Sequence, residues 1–221
     1  DSRLSRGLGD VYKRQMIEVN CETDFVTRNE DFQSFVEELK QDSINHVCDT
    51  MAEAVSERME EKMAQIGEKI SLRRNVKWVV DGTGAIGSYI HMGGTVGVLI
   101  ELSCDKNETI SNQIFKDLLK DLTLHVAAAN PEFLSRDDVP SDQVESEKDI
   151  FRKQLVGKPE NIIENILMGK INKYYSQICF LEQGFVKEEK QSIKNLISEK
   201  SKQLDDNINV VRYIRYQLGG I

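Results

Sequence analysis

The residues best suited to binding another molecule lie at positions 20–29, where the chain reads NCETDFVTRN. This stretch leaves a strand-like run at 16–19 and leads directly into an amphipathic helix pattern. It places the large apolar ring of Phe25 at a junction where the chain is expected to be exposed. Binding residues concentrate at such junctions, so the chemistry indicated here is recognition of a partner.

Phe25 has two interpretations that its neighbours alone leave open. Strand alternation puts Phe25 on the same face as Ile17, Val19 and Cys21, which would make it a core residue. The alternative is an exposed ring that binds a partner, because large exposed aromatic side chains are typical of interaction sites.

Residues that make or break bonds do not form a recognisable set. The cysteines lack C-x-x-C spacing and the Cys/His pattern of a zinc site, so we expect small buried side chains in a reducing compartment. His125, at the end of an apolar helix pattern, is either favoured there by the helix dipole or contacts a partner. No catalytic Ser/His/Asp or Cys/His set can be assembled, so neither an enzyme nor a metal site is predicted. The cysteines are Cys21, Cys48, Cys104 and Cys179, and the other histidines are His46 and His91.

The run Gly82–Gly87 (GTGAIG) fits the G-x-G-x-x-G pattern of dinucleotide-binding proteins. That site needs a helix directly after the glycines, so that helix amides face the pyrophosphate. Here residues 88–100 read as a β-hairpin, which favours a turn over a cofactor site. No G-x-x-x-x-G-K-[ST] phosphate loop is present, and we predict no cofactor and no directly bound nucleotide.

Composition indicates a globular protein with an acidic surface. The chain has 221 residues, 39% hydrophobic and 30% charged, with a formal net charge of −8. This charge argues against direct nucleic-acid binding, which requires a basic surface. The short basic clusters at 73–74 and 212–215 fit solvated strand edges. No apolar run approaches the roughly 20 residues of a membrane-spanning helix, so no membrane contact is predicted.

An internal repeat defines the predicted architecture. Residues 16–39 align without a gap with residues 99–122, and in each copy a short strand ends near a cysteine and a helix follows. The apolar positions of both helices recur at i, i+3, i+4 and i+7, which gives one buried stripe. Phe25 aligns with Glu108, and a core position rarely becomes Glu in a related fold. The repeat therefore favours an exposed Phe25 and predicts two related α+β subdomains, each an antiparallel sheet with packed helices.

The region before the first copy does not match the region before the second. Residues 86–92 and 95–100 read as a hairpin with a Gly93-Gly94 turn. Residues 1–15 offer no matching strand, so we predict a leader that is non-native or disordered, with a natural flexible leader as the alternative. The domain prediction is a leader at 1–15, an incomplete N-terminal subdomain at 16–82 and a C-terminal subdomain at 83–221.

The remaining patterns supply the other elements. Thr27–Glu30 fits a capping box, which predicts the start of the first long helix, and residues 50–66 read as a second helix. Later helices are predicted at 141–155, from Pro159 to a break at Gly169, at 171–180 and at 187–200. Helices over about 141–200 with little strand between them predict a helical hairpin insertion in the second subdomain. Strands are predicted at 76–80 and 209–218.

Several of these motifs together resemble the elongation factor Ts family. The similar segments occur in the family's order across residues 16–221, and they are far more specific than one short motif. They are IEVNCETDFV at 17–26, GTVGVLIE at 94–101, LHVAAANP at 124–131, GKPEN at 157–161 and VRYIRYQL at 211–218.

The resemblance implies a guanine nucleotide exchange factor for elongation factor Tu, with the two subdomains and the helical hairpin predicted above. In such a factor Phe25 would be wedged between two helices of the partner's G domain, which disturbs its magnesium site and phosphate loop. The family normally begins with a small helical domain that is not found here, so a truncated module that binds the partner without efficient exchange is the alternative. A bacterial cytoplasm, a plastid or a mitochondrion would suit the protein. The implied partner-binding residues are Thr23, Asp24, Phe25, Val26, Val96, Gly97 and His125.

Overall fold

The structure, a computed structural model, describes residues 2–6, 11–45, 48–155 and 159–219. His46, Gly157 and Lys158 lie outside the described residues. The fold is α+β with antiparallel sheets, as the sequence predicted. The strands are β1 (Ser2–Arg6), β2 (Lys13–Asn20), β3 (Ser71–Val79), β4 (Gly84–His91), β5 (Val96–Ser103), β6 (Gly184–Phe185), β7 (Glu188–Ser192) and β8 (Asn209–Gln217). The helices are α1 (Asp24–Thr27), α2 (Glu30–Asn45), α3 (Cys48–Ala54), α4 (Ser56–Ile66), α5 (Asn107–Ser111), α6 (Gln113–Ala129), α7 (Ser141–Gln154), α8 (Glu160–Ile178) and α9 (Ile193–Leu204).

Two three-stranded antiparallel sheets form the centre of the first part of the chain. One sheet has the order β1-β2-β3 and the other β4-β5-β8. A buried cluster draws on both sheets and therefore lies between them. Helices α1 to α4 cover the other face of the first sheet through a second cluster. The cluster between the sheets contains Met16, Trp78, Ile86, Leu99 and Tyr216, and the one under the helices contains Ile17, Val19, Val26, Phe32, Leu39, Met51 and Met59.

The sequence repeat is reproduced in three dimensions. Strand β2, the short turn α1 and helix α2 correspond element by element to β5, α5 and α6, and all the starting residues differ by the same offset. Both central strands carry a bulge at the same point, after Glu18 in β2 and after Glu101 in β5. Asn29 and Asn112 cap the two long helices in the same way, since each side-chain oxygen accepts a backbone N–H two residues on.

A reciprocal contact joins the two sheets. Glu18 is fully buried and accepts hydrogen bonds from Arg73 Nη1 (2.9 Å) and Arg74 Nε (2.5 Å). The Arg74 guanidinium also lies over the ring of Tyr216 in the other sheet, 4.1 Å from its centroid. The basic pair at 73–74 was expected at a solvated strand edge. The pair does lie on β3, an edge strand, with Arg73 exposed and Arg74 half-buried, and it also supplies the cations that a buried carboxylate needs as partners.

The second half of this contact mirrors the first. Arg212 Nε donates to the buried carboxylate of Glu101 (2.7 Å), and its guanidinium lies 4.4 Å from the centroid of the Trp78 ring in the first sheet. Arg215 Nε donates to the backbone oxygen of Ala127 (3.2 Å), and burial lowers its pKa. The cluster at 212–215 is therefore also structural, and each sheet contributes an arginine that covers an aromatic ring of the other.

Several local predictions differ from the structure, and the helix predicted at 50–66 is divided into α3 and α4. Thr27 does not cap α2; its hydroxyl donates to Asp24 O (2.6 Å), and Asn29 takes the capping position. Gly169 does not break its helix, because α8 continues through it. Residues 187–200 are not one helix: they contain β7, which pairs with β6, and the start of α9.

The structure also differs from the prediction that no strand precedes β2. Residues Ser2–Arg6 form β1, antiparallel to β2, and β2 itself begins at Lys13, inside the predicted leader. Strand pairing uses backbone groups that every residue except proline carries, so it does not require a recognisable strand sequence. The non-native origin of residues 1–15 stays a prediction.

By compactness the chain divides into residues 1–127 with 200–221, and residues 128–199. The first unit holds both sheets. The second holds the predicted helical hairpin, in which α7 and α8 run antiparallel: Gln143 Nε2 donates to Tyr174 Oη (2.7 Å), and Lys170 Nζ to Gln154 Oε1 (2.8 Å). The division at 82/83 stays a prediction. In the part of the chain described, no helix is both long and apolar enough to cross a membrane.

Candidate partner-binding site

The single turn of α1 presents Phe25 to solvent. Phe25 is 78% exposed, although aromatic rings of this size are usually buried, and the next residue, Val26, is buried in the core beneath α2. The exposed interpretation of Phe25 is thus the one the structure supports. Its counterparts in the second copy follow the same division, with Glu108 exposed and Thr109 buried.

Backbone hydrogen bonds close the turn around this ring. Arg28 N donates to Phe25 O (3.2 Å) and Asn29 N to Val26 O (3.0 Å). Gln33 Nε2, from the first turns of α2, donates to Thr27 O (3.1 Å). The turn is therefore tied to the following helix, and the Phe25 ring projects from a fixed backbone.

Thr23 holds the other end of the turn. Its backbone N donates to Glu68 Oε2 (3.0 Å) and its hydroxyl donates to Glu68 Oε1 (2.6 Å). The thiol of Cys21 donates to Thr23 O (3.3 Å). Burial raises the pKa of the Cys21 thiol, and the charge of Glu68 raises it further, so the sulfur keeps the proton that it donates.

Asp24 adds a negative charge beside the exposed ring. Its carboxylate lies 3.4 Å from Arg28 Nη2 in an exposed i, i+4 ion pair. Such surface pairs contribute only about 0.3–0.5 kcal/mol, so a partner cation can displace Arg28 at little cost. Asp24 and Phe25 together offer one charge and one apolar surface within a single helical turn.

Val96 and Gly97 lie apart from this turn in sequence and are not exposed. Both are buried at the start of β5, where Val96 pairs with His91 and Gln217, and Gly97 pairs with Ile90 and Tyr216. Their backbone groups are used within the sheet. A role in binding remains a prediction, and it would have to act through the shape of the hairpin.

His125 is also inaccessible in this structure. It lies within α6 with no exposed surface, among the buried residues of that helix. The structure therefore brings together Thr23, Asp24, Phe25 and Val26, but it does not place His125 on the surface.

The sequence reasoning missed two further residues: Glu68, which contacts this turn, and Met92, an exposed apolar residue on another hairpin. Met92 is 71% exposed at the tip of the β4–β5 hairpin, in a left-handed conformation (φ 48°). The Gly93-Gly94 turn marked that tip but not its apolar residue. Glu68 binds Thr23 from 45 residues away, and only its position directly after the helix-ending Gly67 is visible in the sequence.

The glycine motif is explained by packing. Gly82 adopts a left-handed turn (φ 86°), and Gly84 begins a strand, so the expected hairpin follows it. A Cβ on Gly84 would lie 2.2 Å from Leu102 O, and one on Gly87 would lie 2.5 Å from Thr123 Oγ1 in α6. Among the described residues, no group of three or more His, Cys, Asp or Glu side chains is arranged to hold a metal ion.

Comparison with known proteins gives a consistent result. The family model described as elongation factor TS matches residues 22–220. Elongation factor Ts of Trichlorobacter lovleyi is 41% identical over 218 residues, which covers 92% of this chain and 70% of the relative. The proteins of the same name from Clostridium botulinum and Nitratiruptor sp. are 40% and 41% identical, with the same coverage.

Proposed function

The chain belongs to the elongation factor Ts family of translation elongation factors, which act in protein biosynthesis, and on that premise we propose that it is a guanine nucleotide exchange factor for elongation factor Tu. The single observation that carries the proposal is the exposed Phe25 on a turn fixed at both ends. Burial of a phenylalanine side chain contributes about 1.5–3 kcal/mol, which a free Phe25 leaves available for binding.

The proposed action is a shift of equilibrium without bond chemistry. Phe25 enters the partner's G domain between two helices, and Asp24 supplies a charged contact next to it. The factor then binds the nucleotide-free partner more tightly than the GDP-bound one. Because the coupling is reciprocal, the affinity of the partner for GDP falls by the same factor when the exchange factor is bound. The protein is thus proposed to be an exchange factor and not an enzyme, with no cofactor and no directly bound nucleotide, nucleic acid or membrane.

Preorganisation supports this proposal. A wedge that must displace packed helices needs a backbone that does not yield, and ordering a flexible loop on binding would reduce the affinity. Thr23 and Thr27 are both held by side chains outside the turn, Glu68 and Gln33. Little of the free energy of burying Phe25 is therefore needed to order the turn, and it remains available to displace the helices of the partner.

The test is release of fluorescent GDP from elongation factor Tu, measured by stopped flow with increasing amounts of this chain. The proposal predicts a rate that rises with its concentration and saturates. Binding is measured separately by titration calorimetry with the nucleotide-free partner. No acceleration and no binding would refute the proposal.

The alternative is a module that binds elongation factor Tu without efficient exchange. It predicts calorimetric binding with an unchanged GDP release rate, so the same two measurements separate the two functions. The protein must be in the same compartment as elongation factor Tu to act on it. We therefore propose a bacterial cytoplasm, a plastid or a mitochondrion.

A further inference from the structure

We propose that Glu68 is a positioning residue that holds the Phe25 turn in its binding conformation. This inference rests on the proposed function, since it assigns Glu68 a part in the same site. Glu68 is half-buried and lies 45 residues away from Thr23 in the sequence. It acts through Thr23, the residue directly before α1.

The need for such a residue follows from the length of α1. A helix of four residues is not stable alone, because its first turn fixes several dihedral angles for very few hydrogen bonds. At its start Thr23 has an extended backbone (φ −125°, ψ 154°), and no side chain within the turn caps it. The stabilising contacts must therefore come from elsewhere in the chain.

Glu68 supplies these contacts with both carboxylate oxygens. One accepts the Thr23 amide (3.0 Å) and the other the Thr23 hydroxyl (2.6 Å). Hydrogen bonds to a carboxylate are about twice as strong as those between neutral groups. With the Cys21 thiol on Thr23 O, the donor groups and the backbone oxygen of Thr23 are all engaged, so its orientation is fixed.

The position of Glu68 is fixed in turn by a core element. Helix α4 ends at Gly67, whose left-handed conformation (φ 78°) lets its N–H bond to Met63 O (2.8 Å). Met59 of the same helix is buried in the cluster that also contains Val26. Glu68 therefore connects the exposed turn to a helix that packs in the same core.

The second copy of the repeat contains the same arrangement, which is an independent observation. Asp206 Oδ2 accepts the backbone N–H of Lys106 (3.2 Å), the counterpart of Thr23, and the Cys104 thiol donates to Lys106 O (3.5 Å). Asp206 also accepts the Asp105 amide (2.9 Å). Glu68 and Asp206 each lie three residues before the strand that pairs with their copy's central strand. The device is thus repeated, but only the first copy uses it beneath an exposed aromatic ring.

The experiment compares Glu68→Gln with Asp206→Asn as a matched control. A glutamine retains one acceptor oxygen, so one of the two bonds from Thr23 is lost in Glu68→Gln. We expect GDP release from elongation factor Tu to slow by about tenfold, the equivalent of one charge-assisted hydrogen bond. Asp206→Asn is expected to match the wild-type rate of GDP release. Its melting temperature should nevertheless fall by about as much as that of Glu68→Gln.

Two further variants separate positioning from general stability. Thr23→Val removes only the hydroxyl bond and should slow release, while Thr23→Ser keeps both bonds to Glu68 and should slow release less than Thr23→Val. Combining Thr23→Val with Glu68→Gln should produce less than the product of the two effects, because both act on one contact. Multiplicative effects would overturn the inference.

A readout on the isolated chain keeps the inference distinct from the proposed function. Amide hydrogen exchange of residues 22–28 should be faster in Glu68→Gln than in Asp206→Asn or wild type. If the wild type does not accelerate GDP release, the proposed function fails, and equal exchange in these variants would show separately that Glu68 does not hold the turn. If the wild type is active and Glu68→Gln is equally active, only the positioning role of Glu68 is refuted.

Discussion

At the scale of single residues, the site depends on the contrast between Phe25 and the residues around it. Val26 is buried, Thr23 is bonded at three atoms, and Phe25 is a large apolar side chain that projects into solvent. The exposure of Phe25 could be inferred from the sequence because its repeat counterpart is Glu108. The brace provided by Glu68 could not, since a hydrogen bond across 45 residues leaves no periodic pattern.

The buried thiols offer a second test at this scale. Burial raises the pKa of the Cys179 thiol from 9.0 to about 11, and the negative charge of Glu182 adds to the shift. The unfolded thiol loses its proton near pH 9.0, so between pH 9 and 11 the unfolded state binds fewer protons than the folded one. Stability contributed by the neutral thiol is therefore present below pH 9 and falls as the pH rises towards 11.

We predict that Cys179→Ala shows a shallower fall of unfolding free energy between pH 9 and 11 than the wild type, measured by urea titration at each pH. The matched control is Val144→Ala, which removes a side chain from the same cluster but keeps the thiol. This control should retain the wild-type slope. Equal slopes for Cys179→Ala and the wild type would show that this thiol titrates normally.

At the scale of elements, the repeat made the strand and helix order predictable, and the errors have local causes. A glycine in a helix interior costs about 1 kcal/mol, which the packing of the 19-residue α8 outweighs. Polar periodicity at 187–200 suggested one helix, but the start of this segment pairs with β6. Pairing with a distant strand is tertiary information that helical periodicity does not contain.

Three glycines give a prediction at the same scale. Gly84→Ala should lower the free energy of unfolding by about 1–3 kcal/mol, because the new Cβ would lie 2.2 Å from the backbone oxygen of Leu102. Gly87→Ala should cost less, because its nearest neighbours are side-chain atoms of Thr123 and Leu119 that can shift.

The control for these variants is Gly169→Ala, where no described atom outside the helix's own backbone lies within 4 Å of the new Cβ. It should raise stability by about 0.5–1 kcal/mol through helix propensity. Chemical unfolding of the three variants and the wild type measures the predicted order of their stabilities directly. A stable Gly84→Ala would contradict the close approach of β4 and β5.

At the scale of the whole molecule, the two sheets behave as one packed unit. The cluster between them includes residues from strands of both, and the arginine contacts cross in both directions. The sequence repeat predicted two related halves, but it gave no sign of their mutual contact. Such a contact depends on residues from different sheets that lie outside the aligned segments, Arg74 with Tyr216 and Arg212 with Trp78.

This crossing contact predicts an asymmetry between its two arginines. Arg212→Met should cost about 3 kcal/mol or more, because it leaves the buried carboxylate of Glu101 without its arginine partner. Arg74→Met should cost less, since Arg73 still donates to Glu18. Urea unfolding monitored by the fluorescence of Trp78 measures both. Equal losses would contradict this asymmetry and show that Arg73 does not compensate for the loss of Arg74.

The most direct measurement compares Phe25→Ala with Glu108→Ala, its counterpart in the second copy, in the release of fluorescent GDP from elongation factor Tu. Both side chains are exposed, so the free energy of unfolding of each variant should lie within about 0.5 kcal/mol of the wild-type value. We predict that Phe25→Ala loses the acceleration by about tenfold or more, whereas Glu108→Ala keeps it. Wild-type acceleration by Phe25→Ala would contradict the proposal that this ring drives nucleotide release.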